Sequence, residues 1–126
     1  MHLIKLSDVN KNTTLLTQSV LQVSQMLGLY HAELARILNI QCADVGELAN
    51  GYCKLEVGSD SWVQAEKFVL LFENLFLKFQ GDEALMCNWL RRRNTVLNGV
   101  PLYLIVDDGL IDSCLDCLIT DDFNYE

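Results

Sequence analysis

The sequence predicts an all-α fold. Apolar residues recur three and four positions apart over long stretches, Pro101 is the only proline among 126 residues, and seven glycines are spread along the chain. Hydrophobic residues make up 51% of the chain, which is enough for the core of one small domain. We therefore expect two helical regions, residues 14–58 and residues 59–126, packed into one compact unit.

Three helices are expected in the first region. Apolar residues at helical spacing predict a helix over about 14–27, and Gly28 is a natural end for it because glycine tolerates the left-handed cap conformation. Two shorter helices are expected over about 31–38 and 43–49, and Gly51 ends the second of them.

The two shorter helices have the pattern of a helix-turn-helix motif. Their apolar residues fit two helices packed across a tight turn, and Ala35 is small enough to let them approach closely. The second helix of such a motif enters the major groove of DNA. Its open face, together with a nearby base in the following loop, gives these candidate DNA-binding residues: Gln41, Cys42, Ala43, Asp44, Glu47, Asn50 and Lys54. Two carboxylates on this face predict weak DNA affinity for one subunit, and a plain helical hairpin is the alternative.

The second region is expected to be built around one long apolar helix. Residues 52–59 show no helical period and predict a loop, and Ser59-Asp60-Ser61 is a capping signal for the helix that follows. The apolar residues of that helix are Trp62, Ala65, Val69, Phe72, Phe76 and Phe79, with Phe68, Leu71 and Leu75 beside them. This stripe is wider than one partner helix would cover, so the helix would be the centre of the fold and would also suit a dimer interface.

Three further helices are expected after Gly81. The apolar face of the first is formed by Leu85, Met86, Trp89 and Leu90. Asn98-Gly99 indicates a turn, Pro101 suits the start of a second helix that continues to about residue 106, and Gly109 separates it from a last helix over about 110–119. Arg91-Arg92-Arg93 either satisfies a helix C-terminus or contacts a phosphate or a partner, and the sequence leaves both open.

No residue pattern indicates an enzyme. There is no glycine-rich phosphate loop, and neither His2 nor His31 has a nearby nucleophile in the sequence. Cys114 and Cys117 lie three residues apart inside a helix without a histidine at metal-binding spacing, so a redox or metal site there is only a minor hypothesis. We expect no catalytic residue, metal, cofactor or small-molecule substrate.

The chain is expected to be cytoplasmic. It has five cysteines, an odd number that favours reduced thiols over disulfides, and no apolar run long enough for an export signal or a membrane span.

Acidic residues are concentrated towards the C-terminus. The net charge is −8, and from residue 94 onward there are seven acidic residues and no base. Such a distribution repels nucleic acid and draws basic partners to one end of the molecule. Simple solvation of the last helix is the alternative explanation.

Two blocks of the sequence resemble a known family. Residues 28–51 resemble the Xre-like helix-turn-helix. The second block resembles the toxin-binding domain of the Xre/MbcA/ParS antitoxins through Gly81-Asp82-Glu83-Ala84-Leu85, Trp89-Leu90-Arg91, Asn94, Leu97, Gly99, Pro101-Leu102 and Gly109-Leu110. The resemblance implies an antitoxin that silences a cognate toxin, typically of the NAD-consuming RES type. Such antitoxins often also repress their own operon through the helix-turn-helix.

The resemblance also implies where the partner binds. In such pairs the C-terminal part of the antitoxin covers the active site of the toxin, which gives these candidate toxin-binding residues: Leu110, Asp112, Ser113, Asp116, Asp121 and Asp122. We further expect a homodimer or a higher assembly and no membrane association. A stand-alone helix-turn-helix transcriptional regulator, without a toxin partner, is the alternative function.

Overall fold

The computed structural model describes residues 2–120, and this part of the chain is all-helical. It contains eight α-helices and no strand: α1 (Leu6–Val9), α2 (Thr13–Met26), α3 (His31–Leu38), α4 (Cys42–Ala49), α5 (Asp60–Phe79), α6 (Glu83–Arg91), α7 (Pro101–Asp108) and α8 (Ile111–Thr120). The all-α expectation is therefore confirmed. None of these helices is long and apolar enough to cross a membrane.

Local side chains explain where the helices begin and end. The side chain of Asn12 accepts a hydrogen bond from Leu15 N at 2.9 Å at the start of α2, and Ser59 Oγ accepts one from Trp62 N at 3.1 Å at the start of α5. At the end of α7, Gly109 has a φ of 67°, a left-handed cap conformation. Because such signals are local, the seven expected helices all form, with ends within about two residues of their predicted positions.

One helix, α1, was not expected. Its four residues are too short to show a helical period in the sequence. It packs against α5, and Leu6 N donates a hydrogen bond to Glu73 Oε1 at 2.9 Å. Tertiary contact with α5 thus supports a segment that has no strong helical signal of its own.

One continuous core joins the two predicted regions. The helix α5 packs against α1, α2, α3, α6 and α8, and α3 also contacts α7. The buried side chains of α5 are Trp62, Ala65, Phe68, Val69, Leu71, Phe72 and Leu75. Glu66, Lys67 and Glu73 lie elsewhere on its surface, so α5 is amphipathic rather than apolar on all sides. The seam that suggested a dimer interface is filled largely within one chain, where Phe76 and Phe79 are half-buried and its other four residues are buried.

The apolar face of α6 differs from the predicted one. Met86 and Leu90 are buried and Trp89 is half-buried, but Leu85 is 47% exposed. Leu85 lies about 100° around the helix from Met86, beyond the side that α5 and α7 cover. The expectation that Leu85 belongs to the buried face is therefore wrong.

Polar contacts from α6 fasten it to the junction between α2 and α3. Cys87 Sγ lies 3.6 Å from the carbonyl oxygen of Leu27, and Arg91 Nη2 donates to the carbonyl oxygen of Gly28 at 3.1 Å. The same guanidinium group forms an ion pair with Glu33 of α3, also at 3.1 Å. Arg91 therefore satisfies a carbonyl at the end of α2 and a carboxylate of α3.

Candidate functional site

The helices α3 and α4 are joined by a three-residue turn, one residue shorter than predicted because Cys42 already belongs to α4. Asn39 opens the turn in the left-handed conformation, with a φ of 59°, and Ile40 N donates to the carbonyl oxygen of Ala35 at 2.9 Å. Ala35 is buried where the two helices meet. The two helices therefore pack across a tight turn.

The predicted DNA-contacting face of α4 is open to solvent. Five of the seven predicted residues are at or next to α4 and exposed, namely Gln41, Cys42, Ala43, Glu47 and Asn50, and Lys54 is exposed in the following loop. Asp44 is half-buried, and its carboxylate accepts a hydrogen bond from Gln41 N at 3.0 Å. Asp44 therefore caps its own helix, and the face that remains carries one carboxylate, Glu47, and no base on α4 itself.

An open cleft of about 220 Å³ lies beside α4. It is lined by Ile40, Asp44, Leu48, Cys53, Lys54, Leu55, Glu56, Ser59 and Ser61. The loop that forms one wall is fixed to α2, because Leu55 N donates to Thr17 Oγ1 at 3.3 Å and Thr13 Oγ1 donates to the carbonyl oxygen of Leu55. Desolvation and the carboxylates of Glu47 and Asp44 raise the pKa of Cys53, so the cleft offers no activated thiolate.

The predicted toxin-binding residues that the structure describes lie on the surface around α8. Leu110 is 42% exposed just before the helix, and Asp112, Ser113 and Asp116 are exposed on it. Asp121 and Asp122 lie outside the described residues. Thus the four described candidates are all accessible to a partner.

Two of the nearby carboxylates are paired within the chain. Asp112 Oδ2 lies 3.0 Å from Lys67 Nζ, and Asp107 Oδ1 lies 3.6 Å from Arg36 Nη2. Asp116 forms no ion pair within residues 2–120 and therefore contributes uncompensated negative charge to this surface.

Residues 94–99 of the second sequence block form a compact turn between α6 and α7. The backbone groups of Asn94 and Gly99 bond to each other at 2.8 and 3.2 Å, and Asn94 Oδ1 accepts from Leu97 N at 3.0 Å. A Cβ added to Gly99 would lie 3.1 Å from Leu104 Cδ2, so glycine allows the turn to press against α7. Pro101 is buried as the first residue of α7. These motif residues therefore determine the geometry of the connection between α6 and α7.

Cys114 and Cys117 are both buried in α8. Burial, with a smaller contribution from Cys117, raises the pKa of Cys114 to about 12, and Cys114 Sγ donates to the carbonyl oxygen of Pro101 at 3.7 Å. No group of three or more metal-binding side chains occurs in the part of the chain that the structure describes. Cys114 therefore lacks the low pKa of a reactive cysteine, and both residues lack the exposure.

Alkylation should distinguish these cysteines. At pH 8 a thiol with a pKa of about 12 is ionised in roughly one molecule in ten thousand, so iodoacetamide should modify exposed Cys42 and Cys53 long before Cys114. Mass spectrometry of time points measures the order, and a sample unfolded in urea is the control. Modification of native Cys114 as fast as Cys42 would contradict the assigned burial.

Because unfolding lowers the pKa of Cys114 towards 9.0, its contribution to stability is present below pH 9 and is lost as the pH rises towards 12.

Two surface features were not expected from the sequence. One is the pairing of Glu33 with Arg91, which are 58 residues apart. The other is an exposed apolar stripe on α5 that includes Val63 and Leu77, opposite the buried seam. The only sequence signal for the stripe is its seven-residue spacing.

Comparison of the chain with models of known protein families finds no match, and comparison with curated proteins finds no significant match either.

Proposed function

We propose that the chain is a non-catalytic cytoplasmic antitoxin that binds and neutralises a cognate toxin of the NAD-consuming RES type. The observation that carries the proposal is the exposed surface around α8, where Leu110, Asp112, Ser113 and Asp116 are all accessible. The resemblance of residues 81–110 to the toxin-binding domain of the Xre/MbcA/ParS antitoxins supports the same function.

Electrostatics favours the acidic surface around α8 as the part of the chain that binds the active site of the toxin. A pocket that binds the pyrophosphate of a dinucleotide is usually electropositive, because it uses helix N-termini and basic side chains. Complementary charge speeds association and selects the partner. Asp116 supplies unpaired negative charge, and Asp112 can exchange its exposed contact with Lys67 for a base of the toxin.

The proposal includes a homodimer or a higher assembly, which must use a surface other than the buried seam of α5. Coexpression with the product of the adjacent gene tests the central claim. We expect a stable heterocomplex on size-exclusion chromatography with light scattering, and loss of the NAD-consuming activity of that product. If the adjacent protein neither binds the chain nor inhibits growth when expressed alone, the antitoxin proposal is wrong.

Removing charge from α8 should slow complex formation. The double variant Asp112→Asn, Asp116→Asn should lower the association rate by about tenfold at low salt and by less at physiological salt, because exposed charges act mainly through long-range attraction. The control is Glu47→Gln with Glu56→Gln, which removes the same charge from exposed positions near α4. Stopped-flow fluorescence measures both rates. Equal rates for the two variants would contradict the role assigned to α8.

A second candidate function is a stand-alone helix-turn-helix transcriptional regulator. The observation that favours it is the exposed face of α4 beyond a short turn from α3. A stable complex with the adjacent gene product would favour the antitoxin, and a chain that binds operator DNA tightly without any protein partner would favour the regulator.

DNA binding by the chain alone should be weak. We expect a mobility shift of DNA from its own promoter only near 50 mM salt and its loss near 200 mM, because the α4 face offers phosphates few cations. The variant Glu47→Gln should bind a few-fold more tightly, since it removes an exposed carboxylate from that face. Nanomolar binding that resists salt, unchanged by Glu47→Gln, would contradict this interpretation.

A further inference from the structure

The outer face of α5 carries an apolar stripe of Val63, Leu70 and Leu77. These residues are seven apart, so they lie nearly in line along one side of the helix, over about 21 Å. Val63 is 41% exposed, Leu77 is 58% exposed, and Leu70 is half-buried. Apolar side chains aligned in this way are accessible to a partner, unlike the seam on the opposite face.

Neighbouring helices form the two sides of this stripe. On one side, Glu73 accepts a hydrogen bond from a backbone N–H of α1 at 2.9 Å, and Glu66 accepts one from the side chain of Asn10, just after α1, at 3.3 Å. On the other side, Lys67 contacts Asp112 of α8 at 3.0 Å. The stripe therefore follows α5 between α1 and α8.

The adjacent surface of α8 extends the stripe. Asp112, Asp116 and Ile119 are exposed and share one side of the helix, because they are spaced four and three residues apart. The contact of Asp112 with Lys67 places this side next to α5, and Ile119 is 51% exposed. The combined surface is an apolar strip with Glu66 and Glu73 on the α1 side and Asp112 and Asp116, beside Lys67, on the α8 side.

The charge of this surface selects its partner. The charged residues of α5 and α8 that border the strip are Glu66, Glu73, Asp112, Asp116, Lys67 and Lys78. Four carboxylates and two ammonium groups leave a formal net charge of −2. A second copy would bring an equally acidic surface against this one, and DNA would bring phosphates, so both are electrostatically disfavoured. A basic partner is favoured.

We propose that the strip formed by Val63, Leu70, Leu77 and Ile119 is a docking site for one amphipathic helix of a basic partner protein. The partner helix carries apolar side chains seven residues apart and lysine or arginine on both flanks, which meet the carboxylates on either side of the strip. Helices commonly bind such surfaces through a few apolar anchors. The proposal rests on the proposed function, because it names which part of the partner binds and where.

A synthetic peptide tests the surface without the natural partner. The probe is a labelled, predominantly helical peptide of about 21 residues, matching the strip length with flanking turns. It carries leucine at three positions seven apart and lysine on both flanks, and its comparator has glutamate in place of each lysine. Fluorescence anisotropy at low salt should show saturable binding of the lysine peptide only. No binding of the lysine peptide at 1 mM, or equal binding of both peptides, overturns the proposal.

Matched variants locate the binding site. Val63→Gln with Leu77→Gln should weaken peptide binding by at least about tenfold, since each removes an apolar anchor. The control is Leu85→Gln with Val96→Gln, which changes two exposed apolar residues of α6 and the following turn and should leave binding unchanged. Circular dichroism and melting curves establish that both double variants fold. An equal loss in the two double variants overturns the assignment to α5.

The same variants separate this proposal from the antitoxin function. A complex with the adjacent gene product that is unaffected by Val63→Gln and Leu77→Gln overturns the docking surface and leaves the antitoxin function standing. Specific binding of the lysine peptide without any complex with that product overturns the antitoxin function instead. A dimer that dissociates in the Val63→Gln, Leu77→Gln variant shows that a second copy occupies the strip, and this too overturns the proposal.

Discussion

Replacing Phe72 by alanine is expected to lower the free energy of unfolding by about 3–5 kcal/mol. The Phe72 side chain is completely buried in the middle of α5, and its ring centroid lies 6.0 Å from that of Phe76. Alanine would remove this apolar surface and leave a cavity that helices on several sides cannot easily fill. Because small domains are stable by about 5–15 kcal/mol, this loss is a large part of the total. Urea denaturation followed by circular dichroism measures it.

The same experiment tests whether residues 14–58 and 59–126 fold as one unit. Since α5 contributes to a core shared with α2 and α3, we expect one transition in both the parent and the Phe72→Ala variant. Leu77→Ala is the control on the same helix, where a 58% exposed side chain should cost under about 1 kcal/mol. Two separate transitions, of which Phe72→Ala shifts only the one that belongs to residues 59–126, would contradict a single cooperative core.

The parts of the fold that the sequence predicts depend on local signals. Asn12, Ser59 and Gly109 act on backbone groups within a few residues, so the ends they set can be predicted without tertiary structure. The error at Leu85 arose because apolar spacing defines a helical face but not how far neighbouring helices cover it. That limit depends on where α5 and α7 lie, which is tertiary information.

The candidate surfaces were predictable to different degrees. The exposed side of α4 follows from its helical period, because burying Val45 and Leu48 turns Glu47 outward. The strip on α5 is hard to predict from the sequence, because the more numerous aromatic residues dominate the apolar pattern of that helix and Leu70 lies next to Val69 and Leu71 of the buried stripe. The acidic border that α8 contributes could not be predicted, since Asp112 reaches α5 only through the packing of α8.

Replacing Arg91 by methionine is expected to lower the free energy of unfolding by about 1–2 kcal/mol. The guanidinium group hydrogen-bonds to the carbonyl of Gly28 and pairs with Glu33, whose side chain is only 15% exposed. Methionine keeps much of the apolar stem but leaves the Glu33 carboxylate with only its bond from Tyr30 N. The expected loss stays modest because the Arg91 side chain is 35% exposed and water partly screens the pair.

Arg92→Met is the control, because Arg92 is exposed and its side chain forms no hydrogen bond or ion pair within residues 2–120; it should change stability by less than about 0.5 kcal/mol. A double-mutant cycle of Arg91→Met and Glu33→Gln should give a coupling energy near 1 kcal/mol. Equal effects of Arg91→Met and Arg92→Met would contradict the pairing. Arg91 belongs to α6 and Glu33 to α3. The coupling energy therefore measures how strongly their ion pair holds α6 against the region predicted to bind DNA.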